Sequence, residues 1–263
     1  MNKKKPLAHA PPVVYGVHPV LETIKAGKRL IERVYVSRSP SVERHLSPLL
    51  ESTDIPITRI SPSDMLSIAG SPHHQGLAAR VGPFPYVDLE DVVSENVPRS
   101  GPVLILDEIQ DPANLGSILR SAECLGANAV ILSKDRSCSI TPVAEKAAAG
   151  ASAHIPVARV VNLVRAIDKL KDSGFWAYAA DANAEATCYS LDLTGKVVLV
   201  LGSEGKGIRR LVLEKCDAAL SIPMHGKVGS LNVAQTAAIL LAEALRQRMQ
   251  HERMGAIGEN ESR

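Results

Sequence analysis

The sequence predicts an α/β protein: a C-terminal domain built on a parallel sheet, preceded by a smaller α/β domain. Three observations carry that expectation. Beyond residue 102, short continuous apolar runs alternate with helix-patterned stretches, as parallel βαβ units require. The stretch 82–102 holds four Pro and two Gly and interrupts the periodicity on either side. The 263 residues are 45% hydrophobic and 22% charged. That balance supports buried cores and excludes a largely disordered or collagen-like chain.

The start, MNKKKPLAHAPP (1–12), is basic but has no apolar run of the kind a secretory signal needs, and it reads as a disordered tail. The first domain then spans 13–81. PVLETIKAG (19–27) and VERHLSPLLES (42–52) read as helices, and IERVYVS (31–37), IPITRI (55–60) and QGLAARV (75–81) as strands. A linker is expected over 82–101.

The second domain spans 102–250. VLILDEI (103–109), NAVILS (128–133), FWAYAAD (175–181), KVVLVLG (196–202) and AALSIP (218–223) are strand-like, several of them continuously apolar as in a strand buried on both faces. Helices are expected near 113–125, 142–150, 161–172, 207–214 and 231–249, with a frayed tail at 251–263. Ligands on doubly wound sheets sit outside the C-terminal strand ends. That directs attention to loops 107–114, 202–207 and 223–230.

In the first loop, DEIQDPANLGSILR, Asn114 stands near a helix start, where its amide can cap free N–H groups. Arg120 follows six residues on, about 600° of helix, so the two share a face only in part. Taken alone, a cap and a solvated arginine explain them. In the second loop, LVLGSEGKGI, Gly202, Gly205 and Gly207 follow a strand. The spacing fits no phosphate-binding fingerprint, and Glu204 places an anion where phosphate oxygens would lie. A neutral or cationic ligand suits that turn better. In the third, SIPMHGKVGSLNVAQTAAIL, Ser230 reads as the N-cap of an Ala-rich helix and Asn232 points into its first turn.

Together and in this order, N-L-G-x-I-x-R, V-L-G-S-E-G-x-G and I-P-M-x-G-x-V-x-S-L-N-V-A resemble the three motifs of the SpoU/TrmH branch of the SPOUT RNA methyltransferases. VYGVHPVLETI and HHQGLAARV also look like the substrate-binding domain of the RlmB-like subgroup, which are 23S rRNA guanosine 2′-O-methyltransferases. The resemblance implies a trefoil knot in the C-terminal domain, a homodimer, S-adenosylmethionine (AdoMet) as methyl donor and RNA as substrate. It implies Gly202, Ile222, Met224 and Leu231 as AdoMet contacts, and Arg120, Asn114, Glu204, Ser230 and Asn232 as catalytic residues. Arg120 matches the family's catalytic arginine. A guanidinium stays protonated, so its expected work is to anchor phosphate and donate to a developing alkoxide.

Several classes are excluded or disfavoured. A dinucleotide-dependent oxidoreductase would need G-x-G-x-x-G at the first turn, where DEIQDPANLG stands. A non-catalytic RNA binder would have no use for the five polar residues kept together. Cys124, Cys138, Cys188 and Cys216 form no C-x-x-C pair, so neither a zinc site nor a disulfide framework is expected, and a reducing cytoplasm fits. His73 and His74 read as surface residues. No apolar run reaches the roughly 18 residues of a membrane helix. Net charge is +2, but residues 1–81 carry 11 Lys and Arg against 6 Asp and Glu, whereas residues 101–263 carry 18 of each. The basic excess in the first domain suits either a polyanion partner or ordinary solubility. Lys206, Arg209 and Arg210 read as a solvated helix start or as RNA phosphate contacts.

Overall fold

The structure is a computed structural model that describes residues 11–37, 53–94 and 101–261, with side chains through 254. The helix expected at 42–52 lies outside the described residues, as does nearly all of the N-terminal tail. The chain divides into two compact units, Met1–Pro85 and Tyr86–Arg263.

The first unit contains β1 (Val13–Tyr15), α1 (Val17–Ala26), β2 (Ile31–Ser37), β3 (Ile57–Ile60), α2 (Pro62–Ala69) and β4 (Leu77–Val81). Its sheet runs β1-β4-β2-β3, with β4 antiparallel to both neighbours and β2 parallel to β3. Strand alternation sends Val34 and Val36 of β2 and Leu77, Ala79 and Val81 of β4 to one face, where Val20, Leu21 and Ile24 of α1 cover them. On the other face Tyr15, Tyr35 and Ala78 pack under Met65 and Ala69 of α2. The sequence reading missed α2, although its signals are complete. Ser61 Oγ accepts from Asp64 N at 3.2 Å, Pro62 opens the helix, and Gly70 closes it in the left-handed region.

The second unit opens inside the stretch read as linker. Val87 bridges Ala158, the Tyr86 hydroxyl accepts from Ile140 N, and α3 (Leu89–Val93) buries Val92. Asp88 caps α3 reciprocally with Asp91, so part of the stretch expected as a linker is a capped helix. Beyond it come β5 (Val103–Asp107), α4 (Pro112–Cys124), β6 (Ala129–Ser133), α5 (Pro142–Ala148), β7 (Val157–Val160), α6 (Leu163–Asp172), β8 (Trp176–Ala180), β9 (Val197–Gly202), α7 (Arg210–Leu213), β10 (Ala218–Leu220) and α8 (Val233–Glu261). β7 was not anticipated. α8 continues past the expected end at 249 because no proline and no cap stops it.

All six strands are parallel, in the order β10-β8-β9-β5-β6-β7. Val103, Ile105, Ile131, Val198 and Val200 face Leu163, Ile167 and Leu170 of α6 and Val92 of α3. The alternate residues Leu104, Leu106, Leu199 and Leu201 are equally buried and point to the side of α4, α5 and α8. From β5 the chain winds one way to β6 and β7 and then returns on the other side, so the order reverses between β5 and β9. The C-terminal ends of those strands, Asp107 and Gly202, are register partners. A ligand crevice belongs at this switch point.

Gly116 sets the approach of α4 to α5. A Cβ there would stand 2.3 Å from Ala144 O and 2.5 Å from the Ala147 Cβ. Because the nearest obstacle is backbone, even Gly116→Ala should cost about 1–3 kcal/mol through overpacking. Denaturant unfolding of the variant checks this; an unchanged midpoint would mean that the helices separate freely.

Candidate functional site

The polar centre is built from three helix and loop starts that the sheet brings together. At the start of α4, Asp111 is the cap: its carboxylate accepts from Ala113 N at 3.0 Å and from Asn114 N at 3.4 Å. Asn114 is therefore not the cap expected from the sequence. Its amide is released to turn outward, and Nδ2 donates to Glu204 Oε1 at 3.1 Å.

At the start of α8 the correction is similar. The helix begins at Val233, and Asn232 rather than Ser230 caps it, with Oδ1 accepting from Ala234 N at 2.8 Å. That bond fixes which way the Asn232 amide points. Its Nδ2 then donates to Asn114 Oδ1 at 2.9 Å and to Glu204 Oε1 at 2.7 Å. Asn114, Glu204 and Asn232 thus close a hydrogen-bonded triangle whose sides span 90, 28 and 118 residues of the chain. Two amide donors converge on one carboxylate oxygen, which holds Glu204 at the mouth of the glycine loop.

The loop itself is a closed turn. Ser203 and Gly207 form an antiparallel bridge, and Gly205 and Gly207 have φ of 85° and 66°. Gly202 lies beneath it: a Cβ there would be 2.1 Å from Gly207 C and 2.3 Å from Ile208 N. The loop folding back over position 202 by itself requires glycine there.

A second polar feature was missed by the sequence reading. Asp107, fully buried at the end of β5, accepts from Arg209 Nε at 2.8 Å and from Arg209 N at 2.9 Å, and Arg209 Nη2 lies 2.7 Å from Oδ1. Arg209 is therefore committed to Asp107, although 41% of its side chain stays exposed. Its hydrogen bonds to Asp107 push its pKa above the ordinary arginine value. The clasp pins the end of the glycine loop to β5. The one available signal was an acid ending a continuously apolar strand, since a buried carboxylate demands a partner. Arg209→Met leaves Asp107 buried with one backbone donor and should lower stability by about 3 kcal/mol. Chemical denaturation of the variant measures it; a loss within experimental error would mean the pair is dispensable.

The glycine loop, the end of β8 and the segment after β10 enclose a cleft of about 570 Å³. Gly202, Glu204, Ile222, Met224, Ser230 and Leu231 all line it, as do Asp181 and Thr236, which the sequence reading did not select. Met224 and Leu231, both over a third exposed, give it an apolar wall. Arg120 is not part of the triangle. It is exposed near the end of α4 and makes no hydrogen bond or ion pair among the described residues. Ser230 likewise makes no hydrogen bond among them. Among the described residues no group of three or more His, Cys, Asp and Glu could hold a metal ion, and no helix is long and apolar enough to cross a membrane.

Residues 101–242, more than half the chain and every loop of this site, match the SpoU rRNA Methylase family model. The chain belongs to that family. Residues 13–87 match a second model, the RNA 2′-O ribose methyltransferase substrate-binding domain. An uncharacterized tRNA/rRNA methyltransferase of Mycolicibacterium vanbaalenii is 40% identical over 90% of this chain and 76% of its own length. Among solved structures, the SpoU methyltransferase AviRb from Streptomyces viridochromogenes aligns with a TM-score of 0.78 and 25% identity, covering 92% of this chain and 91% of its own. Its complex with the cofactor AdoMet aligns with the same TM-score at 24% identity, covering 90% of each chain. The A. aeolicus TrmH/SpoU tRNA modifying enzyme aligns at 26% identity with a TM-score of 0.54, covering 62% of this chain and 82% of its own.

Proposed function

We propose that this SpoU-family chain transfers a methyl group from AdoMet to a ribose 2′-hydroxyl of RNA, a guanosine of 23S rRNA in an RlmB-like role. The observation that carries the reading is that the second and third family loops line one cleft at the C-terminal end of the parallel sheet, while Asn114 of the first loop is hydrogen-bonded to Glu204 and Asn232 at its rim. The cleft suits AdoMet in size and chemistry. Its volume lies in the usual range for a small-molecule site. Ile222, Met224 and Leu231 offer apolar lining and Glu204 offers negative charge, which favours a cationic ligand over a phosphate.

Bound AdoMet would supply an electrophilic methyl on a sulfonium. The protein's part is to place the hydroxyl in line and manage its proton. Gly202, Ile222, Met224 and Leu231 hold the donor, largely through the shape of the loops. The Asn114–Glu204–Asn232 triangle fixes the rim where the ribose enters, and Ser230 faces the same space. Arg120, unengaged and charged, binds an RNA phosphate and donates to the 2′-oxygen as negative charge develops. The same reading carries a knotted C-terminal chain path and a homodimer.

A ribosomal target is favoured over tRNA by coverage. The tRNA-modifying structure leaves more than a third of this chain without a counterpart, whereas the family model for the larger unit is one of rRNA methylases. The test has two stages. Calorimetric titration should show AdoMet binding, and NADH should give no heat. Methyl mapping of rRNA and tRNA from a deletion strain should then find one 2′-O-methyl lost from 23S rRNA. Loss from tRNA alone would overturn the ribosomal assignment.

A further inference from the structure

Two arginines in the N-terminal unit stand side by side on one face of its sheet. β2 and β4 are antiparallel, and Arg33 stands directly across from Arg80. Their neighbours Val34, Val36, Ala79 and Val81 face α1, so strand alternation places both arginines on the opposite face. Like charges directly opposite one another in a sheet are destabilising. Neither arginine has a carboxylate partner among the described residues. Arg33 Nη1 donates to Thr58 Oγ1 at 2.7 Å, a neutral acceptor. The Arg80 guanidinium carbon sits 5.8 Å from the Tyr35 ring centroid, and its Nε is buried with no hydrogen-bond partner. Two cations are thus held side by side, one with an unsatisfied buried donor, and no carboxylate among the described residues offsets their repulsion.

We propose that Arg33 and Arg80 form a phosphate-binding site through which the N-terminal unit grips a backbone phosphodiester of RNA. The proposal rests on the RNA-methyltransferase reading above and adds the residues that hold the substrate. A phosphodiester relieves the repulsion between the arginines and offers several acceptor oxygens to planar guanidinium forks. Thr58 and the Tyr35 ring hold the two side chains in place beforehand, so little side-chain freedom is lost on binding. The site agrees with the basic excess of residues 1–81, and it positions RNA without reading its sequence.

The test uses the full-length protein, a 23S rRNA transcript as probe and a series of salt concentrations. Arg80→Met and the double variant Arg33→Met, Arg80→Met keep side-chain bulk and remove charge. In the double variant the slope of log affinity against log salt should become shallower by about one per lost phosphate contact. AdoMet affinity should be unchanged. The melting temperature should hold or rise, because a repulsive pair is gone; a purely structural arginine would lower it and leave the slope alone. Lysine at both positions should keep the slope but bind more weakly. The slope decides the matter: a slope and affinity equal to the parent's overturn the site whatever the melting temperature. If the parent itself shows no salt-dependent binding to RNA, it is the RNA reading that fails.

Discussion

Replacing Arg120 with alanine should reduce methyl transfer by about 100-fold or more, with AdoMet affinity nearly unchanged. The geometry underlies that split. Arg120 lies on α4 outside the AdoMet cleft and makes no hydrogen bond or ion pair among the described residues, so its removal disturbs neither the donor's pocket nor the fold. What it contributes is realised when substrate is present and charge develops on oxygen. An interaction confined to the transition state lowers the rate without lowering ground-state binding. Arg120→Lys should fail too, because an ammonium lacks the planar fork that engages phosphate and oxygen together. The check is tritiated methyl transfer to RNA alongside calorimetric AdoMet binding. A parental rate in Arg120→Ala would remove it from the reaction.

Gly202→Val should lower AdoMet affinity at least tenfold, about 1.4 kcal/mol of binding free energy. The Cβ would meet the Gly207–Ile208 backbone at 2.1–2.3 Å, so the loop must move off the end of β9. That loop carries Glu204 into the triangle with Asn114 and Asn232, and Arg209 just beyond it is tied to Asp107. Displacing it therefore opens the cleft and loosens the polar rim at once. Gly202→Ala should suffer nearly as much, since the first added carbon makes the clash. Circular dichroism and calorimetry on the same samples separate loss of the site from loss of the fold. Parental AdoMet affinity in the valine variant would place the ligand elsewhere.

Much of the second unit was legible because its strands announce themselves. VLILD and VVLVLG are too continuously apolar for anything but a doubly covered sheet, and the motif loops follow their C-terminal ends. Short or weakly patterned elements were not legible. β1 is three residues long, and VARV of β7 mixes a charge into a run adjoining a helix. α2 was readable from Ser61, Pro62 and Gly70 but was passed over among polar residues. The residues expected at the site, apart from Arg120, lie in the cleft lining or in the triangle, while the caps were each misplaced by two or three positions. Asp111 and Asn232 do the capping that Asn114 and Ser230 were expected to do, because several cap-competent side chains compete at each start. The Asp107–Arg209 clasp was legible from one end only: an acid closing an apolar strand calls for a partner, but that partner is 102 residues away and only the β5–β9 register brings the two together.

The central claim is that the loops after β5, β9 and β10 form one site for methyl transfer from AdoMet to an RNA ribose. The most direct measurement incubates the full-length protein with tritiated-methyl AdoMet and an unmodified 23S rRNA transcript, then digests the RNA to nucleosides. The account predicts label in a single 2′-O-methylated nucleoside, guanosine, and about a hundredth of it or less when Arg120 is alanine. Label on a base, or equal labelling by parent and Arg120→Ala, would contradict it.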